Sequence, residues 1–200
     1  MMRSGIHRMS GRAYTIFDTA IGRCGIAWGY AGIVGVQLPE AREIETRKRL
    51  FHLYPDGREM RPPPNIEIAI EGIGALLRAE ACDFSEVTLD MTGIHAFNQR
   101  VYQIARGIPR GATVTYDEIA ARLGASGAVH AVAQAIARNP FVIIVPCHRV
   151  LEPGSYADKI SPHGGTISKR RLLSIEGTAC PSSKTLFDVL LPVAPPRLSS

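Results

Sequence analysis

The stretch from Thr115 to Val150 constrains the fold more than any other part of this 200-residue chain. Thr115-Tyr116-Asp117-Glu118 fits a capping box, in which the Thr hydroxyl and the Glu carboxylate satisfy backbone donors left open at a helix start. Gly124 supplies the matching stop. A turn through Ala125-Ser126-Gly127 opens a second helix, whose apolar residues Val129, Val132, Ala133 and Ile136 recur at i, i+3, i+4 and i+7 and so share an inward face. Asn139-Pro140 ends it, because a residue before proline is pushed out of the helical region. Two short helices on a tight glycine-containing turn make a helix-turn-helix. Next comes the apolar run Phe141-Val142-Ile143-Ile144-Val145, read as a strand, and at its end Pro146-Cys147-His148-Arg149-Val150.

A cysteine beside a histidine on a strand end has the makings of a nucleophile. The thiolate is the form that attacks carbon, and an ordinary thiol with a pKa near ~8.5 is mostly protonated at neutral pH, so a neighbour must take its proton. The alternative is a buried Cys147 packing as a small hydrophobe, although Pro146, His148 and Arg149 are poor core companions. The outward face of the second helix carries Ala128, His130, Ala131, Gln134, Ala135 and Arg138, small or polar and without an acid. Such a face suits close approach to DNA; the competing reading is a solvated surface built of good helix formers.

Composition agrees with a globular chain having a polyanionic partner. Apolar residues make up 46% and the mean hydropathy is +0.04, while the formal charge is +5 with a pI near 9.2, which favours nucleic acid. Cys24, Cys82, Cys147 and Cys180 are widely spaced with no Cys-x-x-Cys pair, so neither a zinc site nor a disulfide framework is signalled and a reducing cytoplasm is expected. The first residues lack the apolar core of a signal peptide, and no stretch reaches the ~18 apolar residues of a membrane span, so no membrane association is expected.

Upstream, alternation in Ala13-Tyr14-Thr15-Ile16-Phe17 and in the glycine-punctuated Gly25-Ile26-Ala27-Trp28 and Gly32-Ile33-Val34-Gly35-Val36 predicts a small antiparallel sheet. Helical spacing is read over 40–54 and 66–80, separated by Arg61-Pro62-Pro63-Pro64, and Val87-Thr88-Leu89-Asp90 reads as a further strand. Phe97, Val101, Ile104 and Ala105 mark a helix ended by Gly107 and Pro109, and 167–176 a last helix, with Lys169-Arg170-Arg171 in its first turns and Gly177 after it. A domain boundary is expected near Met91-Thr92-Gly93, a basic leader over 1–11 and a Pro/Ser-rich tail over 178–200.

With Tyr116, the second helix, Asn139-Pro140, the run Ile143 to Val150, Gly164-Gly165 and Ile175-Glu176-Gly177 in this order, the chain resembles the O6-alkylguanine-DNA alkyltransferases, also called methylated-DNA-protein-cysteine methyltransferases. The likeness is strong over 97–177 and weak over 13–90. It implies an α+β protein: a small ribonuclease H-like α/β domain over 12–92 and a helical, winged-helix-like domain with the helix-turn-helix over 93–177. It further implies a protein that binds double-stranded DNA containing O6-alkylguanine, flips the base and moves the alkyl group to Cys147, with no cofactor; a monomer is expected, and no metal, because the N-terminal zinc ligands of some members find no convincing set in this sequence. By the same likeness His148 deprotonates Cys147 through a water, Glu176 orients the imidazole, Asn139 braces the site and Tyr116 donates a hydrogen bond to the leaving guanine. Val150, Ile136, Ser161, His163 and Gly164 would surround the flipped base, and Thr115, Ala128, His130, Ala131, Gln134, Arg138 and Arg149 would contact DNA, with small residues such as Ala133 easing entry into the minor groove.

Four positions depart from the family pattern: His130 stands where most members have the arginine that fills the space of the flipped base, Pro162 and His163 where many have tyrosine and serine, and Val142 where proline is usual. These departures bear on base extrusion. Two other readings stay open at this point. One is a binder that flips and flags alkylguanine with little transfer; the other is a Cys-His hydrolase, for which no oxyanion-hole signature is present.

Overall fold

The computed structural model describes residues 11–152 and 169–178. The N-terminal half forms a four-stranded sheet in the order β3-β2-β1-β4. β1 (Ala13–Thr19) and β2 (Gly22–Gly29) pair antiparallel from Ala13↔Trp28 to Thr19↔Gly22, and β3 (Gly32–Gln37) pairs antiparallel with β2 beyond a bulge at Ala27/Trp28. β4 (Arg58–Glu59), which no periodicity signals, adds in parallel to β1.

The expected strand at 87–90 is reduced to one bridge, Leu89 to Ile33. Ile33 N donates to Thr88 O at 3.0 Å and Asp90 N to Ile33 O at 2.7 Å, and the chain then leaves the sheet. This close approach explains Gly32: its φ of +133° is hard for any L side chain, and a Cβ there would meet Thr88 O at 2.5 Å.

α1 (Glu43–Leu53) carries Glu43 and Glu45 in its first turn, where acids complement the partial positive charge of free N–H groups, and buries Thr46 and Leu50. Ile44 and Leu53 remain exposed. α2 (Pro64–Leu77) begins on a proline, which needs no partner for its missing N–H at that position, and buries Ile66, Ala69, Ile73 and Leu76 at helical spacing.

α3 (Ala96–Arg106) is followed by the capped α4 (Tyr116–Arg122), in which Glu118 N donates to Thr115 Oγ1 at 3.2 Å and Thr115 N to Glu118 Oε2 at 2.6 Å. After Gly124, whose φ is +69°, and a 3-10 turn at Ser126–Ala128 comes α5 (Val129–Ala137). Val132 and Ile136 are buried as expected, an arrangement stabilising by about 1.5–3 kcal/mol per side chain. Ala135, assigned above to the outward face, is buried instead, and its carbonyl accepts from Tyr102 Oη at 3.0 Å. Ala133 is only half-buried.

A two-stranded parallel pair, β5 (Val114–Thr115) with β6 (Val150–Leu151), joins the start of α4 to the end of the Cys147 segment. α6 (Lys169–Ile175) packs Leu172 and Leu173 inward. One buried cluster runs from Ile26 and Trp28 of the sheet through Val101 and Ile136 to Cys147 and Leu172. The edge strand β3 reaches the second half directly, since Val36 N donates to Pro140 O at 2.8 Å. Among the described residues no helix is long and apolar enough to cross a membrane.

Candidate active site

The run Phe141-Val142-Ile143-Ile144-Val145 is a buried turn, not the expected strand. Its five residues are almost inaccessible, so the sequence reads as continuously apolar whichever backbone shape it takes. Ile143 adopts φ +76°, a conformation disfavoured for a β-branched residue, and the chain reverses so that Val145 N donates to Phe141 O at 2.8 Å. Asn139 closes the turn from inside: Phe141 N donates to its Oδ1 at 3.0 Å and its Nδ2 donates to Val145 O at 2.8 Å. The buried amide thereby gives Phe141 N its acceptor and supplies Val145 O with a second donor beside Cys147 N.

Pro146, at φ −77° and ψ 71°, makes an inverse γ-turn closed by Cys147 N to Val145 O at 2.8 Å. Cys147 therefore opens a 3-10 turn, Cys147–Arg149, and does not cap a strand. A single turn of this helix sends Cys147, His148 and Arg149 in three directions.

His148 and Glu176 are fully enclosed, and His148 Nε2 lies 2.8 Å from Glu176 Oε1. Burial pushes the Glu176 carboxyl up, but hydrogen bonds and charge from His148 and Arg149 outweigh it and hold it at about 2. Burial is also the first cause of a lowered His148 pKa, with the charges of Arg149 and Lys169 adding to it against the pull of Glu176. At neutral pH the pair is a carboxylate and a neutral imidazole. A carboxylate only accepts, so Nε2 carries the proton and Nδ1 keeps its lone pair. That Nδ1 is buried and has no hydrogen-bond partner among the described residues. The result is a base with its proton-accepting nitrogen fixed by a carboxylate, one residue from a thiol.

Glu176 itself is set by the end of α6. Gly177, at φ +73°, allows Thr178 N to reach Leu173 O at 3.0 Å and Gly177 N to reach Ser174 O at 3.1 Å, the paired bonds of a Schellman stop. Arg110 holds the same end, donating through Nε to Glu176 O at 3.3 Å and through Nη2 to Ile175 O at 3.4 Å.

Tyr116, at the start of α4, is half-buried beside Lys169, whose Nζ sits 5.9 Å from the ring centre and 3.5 Å from the phenol oxygen. Lys169 also donates to Val150 O at 3.3 Å. Sequence reasoning saw in Lys169 only the start of a basic run; its neighbourhood depends on a contact 53 residues away. Tyr102 was missed too: buried, raised to about 12 by burial and then by the nearby Cys147 charge, it stacks edge-on against Phe141 and ties α3 to α5.

Among the expected base-contacting residues, Val150 and Ile136 are buried in the cluster that holds Cys147. Ser161, His163 and Gly164 lie outside the described residues. On the expected DNA face His130, Ala131, Gln134 and Arg138 are exposed, and Ala128 is half-buried. Thr115 is half-buried, and its hydroxyl is engaged in the cap of α4. His130 Nε2 is 2.9 Å from Gln134 Nε2, one turn along the helix. Because an amide nitrogen only donates, this imidazole nitrogen accepts.

Arg149 does not belong with these. It is 8% exposed, donates to Glu176 Oε2 at 2.9 Å and Oε1 at 2.7 Å, and places its third nitrogen 2.5 Å from Ile108 O. A guanidinium turned inward and bonded on all three nitrogens cannot meet a phosphate, so the expected DNA contact is corrected.

A cavity of about 520 Å³ lies behind this relay, with Cys82, Arg106, Arg110, Ile144, Pro146 and Arg149 in its wall; Cys147, Tyr116 and α5 take no part in it. Of the other thiols, Cys24 is buried and pushed up to about 12 by that burial, and Cys82 is raised for the same reason. Among the described residues no group of three or more His, Cys, Asp or Glu could hold a metal ion.

Residues 96–178 match the family described as the DNA-binding domain of 6-O-methylguanine DNA methyltransferase. A methylated-DNA--protein-cysteine methyltransferase of Mycobacterium tuberculosis is 35% identical over 176 residues, covering 88% of this chain and 98% of the relative. The crystal structure of the Mycobacterium tuberculosis O6-methylguanine methyltransferase superposes with a TM-score of 0.65 at 31% identity, covering 88% of this chain and 99% of that one. A second crystal structure, Mycobacterium tuberculosis OGT in complex with DNA, gives 0.61 at 31% identity over 82% of this chain and 92% of its own.

Proposed function

The chain belongs to the methylated-DNA-protein-cysteine methyltransferase family, and we propose that it repairs DNA by moving an alkyl group from the O6 of guanine to Cys147, once per molecule. The observation that carries this reading is the enclosed His148-Glu176 pair, a neutral imidazole with its bare nitrogen fixed, next to the cysteine. In the reaction His148 takes the thiol proton through a water. The sulfur attacks the alkyl carbon, a C–S bond forms as the C–O6 bond breaks, and the electron pair leaves with the guanine. The guanine recovers one proton, so the balance is one thiol proton lost and one purine proton gained. Tyr116 donates a hydrogen bond to the departing base, a role compatible with its oxygen accepting from Lys169 Nζ. A thioether has no leaving step in this scheme, so the protein is consumed.

The finer organisation is part of the same reading: a ribonuclease H-like unit over 12–92, and a winged-helix-like unit over 93–177 that enters the minor groove with α5 and flips the damaged base into the site at Cys147. Support for α5 as the DNA element comes from its exposed, acid-free face at His130, Ala131, Gln134 and Arg138. The likeness to a relative crystallised with DNA supports DNA as the partner. The test is intact-mass analysis after incubation with a duplex containing O6-methylguanine. One added methyl group per molecule, mapped to Cys147, is expected. DNA bound with no gain in mass would favour a lesion-binding protein instead.

A further inference from the structure

The relay holds one more charged group than a thiol, a base and an orienting carboxylate require. Arg149 places two nitrogens of its planar fork on Glu176, Nε on Oε2 at 2.9 Å and Nη2 on Oε1 at 2.7 Å, and anchors the third on the carbonyl of Ile108. His148 shares Oε1 with it at 2.8 Å. We propose that Arg149 is a positioning residue of this site: by matching the charge of Glu176 it keeps the proton off His148, so that the imidazole stays a base across the working pH range. The inference rests on the repair reading for its chemistry, but not for its geometry.

The charges around the pair support it. Glu176 has no side-chain exposure and sits at the C-terminal end of α6, where the backbone is already partly negative, so an ionised carboxyl there needs a cation. Arg110 does not serve, because its bonds go to the carbonyls of Ala79, Glu80, Ile175 and Glu176. Lys169, from the far end of α6, bonds to Val150 O and approaches Tyr116. Cys82 faces the pair from the cavity side as a thiol whose pKa burial raises, and Cys147 adjoins it in sequence. Among the described residues Arg149 is thus the cation bonded to the carboxylate. With it in place, a protonated His148 would be a second cation on an oxygen already paired, in a buried setting where like charges repel strongly.

Without Arg149, the cation open to Glu176 is His148 itself. The pair then becomes an imidazolium carboxylate, Nδ1 loses its lone pair, and the Cys147 proton has nowhere to go until the pH is high enough to strip the imidazole. Loss of Arg149 should therefore act on the pH dependence and not on the rate alone.

The experiment compares the unaltered protein with Arg149→Met and Arg149→Lys, using single-turnover transfer from O6-methylguanine duplex as a function of pH. Nitrogen NMR of His148 and thermal unfolding accompany it. For Arg149→Met the acid limb should rise by about two pH units or more, giving about tenfold slower transfer near neutral pH that converges with the unaltered protein at high pH. His148 Nδ1 should appear protonated at neutral pH in this variant alone. Arg149→Lys keeps the charge and loses the fork, so its rate should fall by a similar factor at every pH with the His148 titration unmoved. A uniform loss in Arg149→Met with a neutral His148 would overturn the proposal and leave Arg149 a packing residue. Should Arg149→Met fail to fold, a His148 titration raised in Arg149→Lys would overturn it equally. Absence of transfer by the unaltered protein would instead overturn the repair reading, since the NMR readout reports the imidazole without it.

Discussion

Replacing Asn139 by alanine tests whether one buried amide sets the shape of the Cys147 turn. The side chain makes two hydrogen bonds of different worth. Phe141 N has Asn139 Oδ1 as its acceptor, so the variant leaves a buried donor unpaired, at about 1–3 kcal/mol. Val145 O loses Asn139 Nδ2 but keeps Cys147 N at 2.8 Å, so this second loss is about 0.5–1.5 kcal/mol. Together they come to about 1.5–4.5 kcal/mol of stability, which in urea titration lowers the midpoint by about 1–2 M with an unchanged slope. Ile143 already holds a disfavoured φ of +76°, so the released turn has reason to relax and carry Cys147 with it. Transfer to free O6-benzylguanine should then fall by more than tenfold, roughly what a displacement of about 1 Å costs in aligned reactions. A midpoint within about 0.3 M of the unaltered protein, with a native transfer rate, would refute the argument. It would show that packing of Phe141 to Val145 alone shapes the turn.

The buried pair should make folding stability fall on the acid side. Both native pKa values lie below the ordinary values of 6.5 for His148 and 4.5 for Glu176, so the unfolded chain binds each proton first. Stability should decline as pH drops below the histidine value and again toward about 2, the second step on the order of 3 kcal/mol, and His148→Gln should remove the first in denaturant titrations at stepped pH. Cys147→Ala should abolish transfer yet keep DNA binding, as read by peptide mapping and fluorescence anisotropy; equal loss of both would mean that Cys147 is structural. His130→Arg should speed transfer from duplex several-fold, on the order of 1 kcal/mol, and leave reaction with free O6-benzylguanine unchanged, because a charged planar group replaces a shorter imidazole tied to Gln134. Equal effects on both substrates would show that His130 does not face the extruded base.

The elements that sequence determined by itself are those whose signals are local. The capping box at Thr115 and Glu118, the stops at Gly124 and Gly177 and the alternation in β1 all depend on neighbours within five residues, and each stands where its pattern puts it. Cys147 and His148 were legible for the same reason, being adjacent in the chain. What only the tertiary structure decided involves partners far apart or backbone shapes that share one composition. Phe141 to Val145 is equally apolar as strand or turn, and only the Asn139 amide and the Ile143 backbone separate the two. The single bridge at Leu89 and the parallel β4 have no local code, since pairing depends on the strand each one meets. Arg149 looked like a surface cation because charge is normally exposed. It turned inward because Glu176, 27 residues on, supplies in the interior the charge and hydrogen bonds that water would otherwise provide.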